Sequence, residues 1–256
     1  MCLILFGYRA HPAYSLVLAG NRDEYHERPS ASAQFWPSNP GILGGRDLAA
    51  GGSWLAVNRQ GKLAAVTNFR DGQPKTARRS RGHLVSEYMG SNLSGAQQIQ
   101  SLASAQDEYG GFNLLLLDSQ GLHYTSNRTP GPVDVAPGIH GLSNHLLDSP
   151  WPKVEAGKQK LQAQLEGSRE QLIGGLFDVL ADRSQVSDER LPETGVSLDW
   201  ERKLSAAFIH TPAYGTRAST VIVVDSAGHL DFAERSFDST GRCTEERRFQ
   251  ITGFAR

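Results

Sequence analysis

Three turns of one kind set the fold class before anything else does. Asn58-Arg59-Gln60-Gly61, Asp118-Ser119-Gln120-Gly121 and Asp225-Ser226-Ala227-Gly228 each leave one β-rich run and lead into another. The runs they leave are Trp54 to Val57, Leu114 to Leu117 and Thr220 to Val224. Short glycine-closed turns between such runs are hairpin signals, so the sheet content is predicted to be mostly antiparallel. A fourth hairpin opens the chain: Leu3-Ile4-Leu5-Phe6 turns at His11-Pro12-Ala13 into Tyr14-Ser15-Leu16-Val17-Leu18, and this reading sets Cys2 at a sheet edge.

Helical patterns are concentrated in the middle of the chain, over 81–89, 95–105, 151–165, 169–181 and 198–208. Pro152 suits the first turn of the third, and Leu172, Ile173, Leu176, Val179 and Leu180 give the fourth an apolar face. Hairpins at both ends with helices between predict an α+β protein, with helices laid over an antiparallel sheet or sheet pair. The polar stretch 184–197, with Pro192 and Gly195, reads as a connecting loop or a mobile lid. At 256 residues, with no repeat of 20 to 50 residues, one domain over 1–256 is expected.

Charge and hydropathy narrow the function classes. A net charge of -1 leaves no basic footprint for nucleic acid. Apolar runs as short as Leu3 to Phe6 and Leu114 to Leu117 fall far below the ~20 residues a spanning helix needs. The first residues lack the pattern of a secretory signal, so a cytoplasmic protein handling a small molecule is expected. With only Cys2 and Cys243, there is no disulfide framework and no Cys-x-x-Cys pair. No His-Glu-x-x-His is present, and His140 and His145 read as polar loop residues. Gly44-Gly45 and Gly51-Gly52 do not form a phosphate loop, so no metal or cofactor is predicted. Arg78-Arg79-Ser80-Arg81 reads as a solvated helix start, or as a dock for a phosphate or carboxylate.

Cys2 carries the most chemical information. Removal of Met1 would put a thiol and a free α-amine on one residue, with pKa values of roughly 8.5 and roughly 7.7 to 8.0. Such a pair can act as nucleophile and base, although a small hydrophobic residue in a strand is the plainer use of a lone cysteine. Antiparallel pairing of the opening hairpin sets Cys2 across from about Asn21. Arg22 and Asp23 then come within reach of the thiol, the arginine favouring thiolate and the aspartate holding the ammonium.

The initial Met-Cys, Asn21-Arg22-Asp23-Glu24, the Gly51-Gly52-Ser53-Trp54 hairpin ending Thr67-Asn68-Phe69-Arg70, Gly141-Leu142-Ser143-Asn144 and Gly215-Thr216-Arg217 occur in this order. Together they resemble the NRDE family, which includes the transport and Golgi organisation protein 2 group. The match runs from Met1 to about Glu234. The same landmarks are more distantly similar to cysteine N-terminal-nucleophile hydrolases of the choloylglycine hydrolase and penicillin V acylase type, amidases with a four-layered αββα fold. The resemblance implies Cys2 as nucleophile, Asp23 as the partner of its amine, Asn68 as an oxyanion donor, Asn144 as a second polar group and Arg217 as a late arginine. Those amidases space their early residues as Arg-Asn-x-Asp, whereas here Arg22 adjoins Asp23, so Asn21 or Arg22 fills the arginine position. From the residues alone, Asn68 and Asn144 equally suit turn positions bonding their own backbone, and Arg217 suits an exposed strand start. The resemblance implies one of two activities, hydrolysis of a small amide or non-catalytic binding and trafficking of haem or an acyl thioester. A haem carrier would need an axial ligand or an apolar slot, and no Cys-Pro or Cys-x-x-Cys-His signature is present.

Overall fold

The computed structural model describes residues 3–72, 77–129 and 131–254. Cys2 therefore lies outside the described residues. Six strands form the first sheet: β1 (Leu3–His11), β2 (Tyr14–Tyr25), β10 (Gly138–Leu142), β11 (Tyr214–Asp225), β12 (Leu230–Phe237) and β13 (Cys243–Ile251), in the order β10-β1-β2-β11-β12-β13. The second sheet is a meander in chain order: β3 (Ser30–Trp36), β4 (Asn39–Asp47), β5 (Leu55–Asn58), β6 (Leu63–Asn68), β7 (Phe112–Asp118), β8 (Gly121–Ser126) and β9 (Val133–Asp134). Every strand pairing in both sheets is antiparallel, as the hairpin turns predict.

Strand alternation assigns each sheet two buried faces. In the first sheet Ile4, Phe6, Leu16, Leu18, Ile222 and Val224 meet Leu43, Leu55, Val57, Leu63 and Leu115 of the second in one inner core. The intervening Leu3, Leu5, Val17, Ala19, Val221 and Val223 pack outward on α3 (Pro152–Gln164) and α4 (Arg169–Leu180). On the opposite side Ala56, Ala64, Val66, Leu114 and Leu116 pack on α1 (Gly82–Gly90) and α2 (Gly95–Leu102). The result is the expected four-layered αββα sandwich. Because both faces are covered, Leu3 to Phe6 and Leu114 to Leu117 are unbroken apolar runs rather than alternating ones. α3 approaches closely at Gly157, where a Cβ would meet Leu5 Cδ1 at 2.6 Å.

Several local expectations change. β1 is an interior strand, paired to β10 by Ile4 opposite Leu142 and to β2 on its other side, so the opening hairpin does not form a sheet edge. A local hairpin signal cannot reveal that the distant strand β10 will cover its free side. The register pairs Leu3 with Asn21, and the Cys2 side of that expectation lies outside the described residues. β11 starts at Tyr214, so Arg217 lies inside the strand rather than ahead of it, and α5 (Leu198–Leu204) stops short of the predicted 208. His140 belongs to β10, where the hydrogen bond its Nδ1 donates to the Asp148 carboxylate at 2.7 Å pushes its imidazole pKa up. Cys243 is exposed. No helix among the described residues is long and apolar enough to cross a membrane.

The edge of the inner core is closed by polar groups. Fully buried Glu234 accepts hydrogen bonds from the Ala33 backbone N–H at 2.6 Å and from Thr220 Oγ1 at 2.9 Å, and Arg247 donates to the Ala33 carbonyl at 3.1 Å. These bonds clamp β3 of one sheet on β12 and β13 of the other. Burial raises the Glu234 carboxyl to about 7 against these hydrogen bonds. Its protonated form is thus favoured by folding, and the contribution is complete below the unfolded value of 4.5 and lost as pH rises through about 7. Between pH 5 and 8, wild-type stability should fall by roughly 2 kcal/mol more than that of Glu234→Gln, read from urea melts at each pH.

Candidate active site

The ends of β2, β5 and β6 open onto a cleft of about 920 Å³. It is closed on its other sides by residues 77–82, by Val196, Trp200 and Leu204, and by Tyr214. Of the predicted loop 184–197, Val196 reaches the lining, and α5 supplies the rest of that wall.

β2 distributes its four landmark residues by alternation. Asn21 is fully buried on the face toward the helices, donating Nδ2 to the carbonyls of Leu180 at 2.9 Å and Ala207 at 2.7 Å and accepting from Ser219 Oγ at 2.6 Å. With both donors and an acceptor lone pair in use, it ties sheet to helix and does not line the cleft. Arg22 does line it. Its guanidinium lies 4.5 Å over the Trp54 ring, with the Glu24 carboxylate 3.8 Å away, and burial lowers its pKa. Trp54 is itself fixed against Gly45, where a Cβ would come within 2.1 Å of Cζ2. Of the two residues that could fill the early arginine position, Arg22 is the one facing the cleft.

Asp23 returns to the Asn21 face, and its Oδ1 accepts from Thr216 Oγ1 at 2.6 Å. Thr216 Oγ1 in turn accepts from the Ile209 N–H at 2.9 Å, which orients the hydroxyl. Opposite, β11 carries one extra residue: Thr216 pairs with Asp23 and Ala218 with Arg22, leaving Arg217 as a bulge. The bulge puts Thr216 and Ser219 on one face although they are three apart in sequence. Arg217 points elsewhere, donating Nη1 to the carbonyls of Tyr25, His26 and Arg28 at 3.0, 2.9 and 3.3 Å. It fastens the β2–β3 turn and is absent from the cleft lining.

Asn68 ends β6, and its side chain lines the cleft without a hydrogen bond among the described residues. Asn144 bridges the two sheets. Its Nδ2 donates to the Asn68 carbonyl at 3.0 Å, while Oδ1 and the backbone carbonyl accept from Arg70 Nη2 and N at 3.0 and 2.7 Å. Beneath it, Thr67 donates to the Ser143 carbonyl at 2.8 Å and Asn113 to the His145 carbonyl at 2.9 Å, completing a buried polar seam. Arg22, Asp23, Asn68 and Asn144 are thus gathered at one cleft, and Asn21 and Arg217 support its walls.

Sequence reasoning gave no role to Arg70, Glu201 or the aromatic residues. Arg70 Nη1 pairs with the buried Glu201 at 3.2 Å, and Glu201 also accepts from Thr194 N and Oγ1 at 2.9 and 2.6 Å. This pins α5 and residue 194 to the end of β6. Trp200 and Tyr214 meet edge to face, ring centroids 5.9 Å apart, as a second wall. The usable signal was Arg70 itself, which closes the Thr-Asn-Phe-Arg string. In the 77–82 segment Arg78, Arg79 and Arg81 line the cleft directly ahead of α1, which starts at Gly82. Nearby, Arg28 pairs with Asp47 at 2.6 Å and holds that carboxylate below its usual range despite its burial. Glu201→Ala should cost about 3 kcal/mol in chemical denaturation, because it strands the Arg70 charge in a poorly solvated position.

A family model described as Transport and Golgi organisation 2 matches residues 1–239. A mouse Transport and Golgi organization 2 homolog is 36% identical over 256 residues, covering 92% of this chain and 93% of its own. The human homolog is 36% identical, with 98% and 99% covered, and the Drosophila melanogaster protein 30% identical, with 92% of each. Among solved structures, a Caenorhabditis elegans N-acylethanolamine-hydrolyzing acid amidase ortholog is 10% identical with a TM-score of 0.48, covering 87% of this chain and 92% of that one.

Proposed function

The chain belongs to the Transport and Golgi organisation 2 family, and on that premise we propose that it is an N-terminal cysteine amidohydrolase acting on a small amide. One observation carries the reading: Arg22, Asp23, Asn68 and Asn144 line a single cleft, and β1 enters the sheet beside it with Leu3 opposite Asn21. Those are the residue types acyl transfer requires around a thiol. Once Met1 is removed, the α-amine of Cys2 takes the thiol proton and the thiolate adds to the amide carbonyl. Asp23, its Oδ1 fixed by Thr216, holds the resulting ammonium. Asn68 and Asn144 donate toward the oxyanion, a donor of this kind being worth ~2.7 to 4 kcal/mol. Collapse breaks the C–N bond, the ammonium passes its proton to the leaving nitrogen, and water then releases the acid from the thioester.

Intact-mass spectrometry with a cysteine-directed electrophile checks this. The chain should lack Met1 and be labelled at Cys2 well ahead of Cys243, and Cys2→Ala should remove that label and all turnover. Asp23→Asn should slow labelling by roughly 100-fold with the thermal melt unchanged. Retained Met1, or equal labelling of both thiols, would exclude the α-amine mechanism. The carrier reading is distinguished by ligand binding that survives Cys2→Ala.

A further inference from the structure

The lining of the cleft holds six arginines (22, 28, 70, 78, 79 and 81) against four carboxylates (Asp23, Glu24, Asp47 and Asp71), in a chain whose net charge is -1. Several of these charges are already committed. Arg28 pairs with Asp47 and Glu24, Arg70 with Glu201, and Arg79 with Glu87 and Glu108, while Asp71 pairs with Arg128 outside the lining.

Arg22 is different. It is only 4% exposed, its Nη1 has no hydrogen-bond partner, and the Glu24 carboxylate at 3.8 Å lies beyond hydrogen-bond reach. Buried guanidinium donors are ordinarily satisfied, and one held rigidly over Trp54 loses little rotamer freedom when a ligand oxygen arrives. Across the same cleft Arg78 is exposed and makes no ion pair among the described residues. Trp200 and Tyr214, packed edge to face, supply an aromatic wall between β11 and α5.

We propose that this cleft binds ligands through an oxyanionic group, a carboxylate or a phosphate, taken by Arg22 Nη1 and Arg78 while Trp200 and Tyr214 cover the carbon skeleton. The inference rests on the amidohydrolase reading for its chemistry and names the substrate class: an amide that carries an anion. Paired donors on a planar guanidinium suit either oxyanion, and the aromatic wall selects against a bare inorganic ion.

Binding is tested in the full-length Cys2→Ala protein, so that it is read apart from turnover. Thermal unfolding is followed against inorganic phosphate and against 4-phenylbutyrate, each compared with sodium chloride at equal ionic strength. At least one probe should raise the melting temperature in a saturable way. Its apparent Kd should weaken about tenfold in Arg22→Met and about threefold in Arg78→Gln. A response to phosphate alone assigns a phosphate group, to phenylbutyrate alone a carboxylate, and to both the shared oxyanion. No response beyond chloride, or responses unchanged by Arg78→Gln, overturns the proposal. Arg78 is exposed, so that variant decides even if Arg22→Met fails to fold. Failure here with preferential Cys2 labelling intact would leave the amidohydrolase reading standing without its anionic substrate. Success here without Cys2 labelling would leave an anion-binding cleft that does not turn over.

Discussion

Everything at the cleft depends on the pairing of β2 between β1 and β11. That pairing fixes which way each residue of Asn21-Arg22-Asp23 faces, and strand geometry permits no compromise: neighbours on a strand point to opposite sides. Asn21 is spent on the face away from the inner core, with hydrogen bonds to α4, to the segment after α5 and to β11 that would be costly to leave unmade. Arg22 is thereby committed to the space between the sheets. A slip of one residue would bury a guanidinium among the carbonyls of Leu180 and Ala207 and send the amide to the cleft.

The two sheets meet the cleft by different means. The first contributes strand residues held by backbone pairing, whereas the second is joined through side chains: Asn144 to Asn68 and Arg70, Thr67 to Ser143, Glu234 to Ala33. Apolar contact between sheets is strong but nondirectional. Directional bonds at the rim set their relative position to within a hydrogen bond's tolerance, which is what convergence of Asn68 with Arg22 and Asp23 demands. The polar seam therefore serves geometry more than stability, in keeping with the small net gain from any one buried hydrogen bond.

The fold was largely legible in the sequence because its signals are local. Glycine-closed turns predicted the antiparallel hairpins, and the helical stretches read from the sequence match the five α-helices of the described residues with ends off by a few residues. What was not legible is long-range. That β10 covers β1 depends on a pairing between residues 4 and 142, and no hairpin signal reports it. Site membership divided in the same way. Arg22, Asp23, Asn68 and Asn144 appear as motif residues and line one cleft, but the motif strings could not tell a residue facing the cleft from one bracing it. Asn21 and Arg217 brace. Arg70 and Glu201, 131 residues apart, find each other only when α5 docks.

The bulge at Arg217 acts as a phase shift in β11. Upstream of it, Tyr214 and Thr216 are read in one frame, and downstream, Ala218 to Asp225 in the other. The wall of the cleft and the core strand can therefore each keep a strict two-residue rhythm without agreeing with each other. A side chain changed at position 217 gives up only its bonds to the carbonyls of Tyr25, His26 and Arg28, but loss of the residue itself would rotate Thr216 away from Asp23 and Tyr214 away from Trp200 together. At this point in the chain, length is a more stringent requirement than identity.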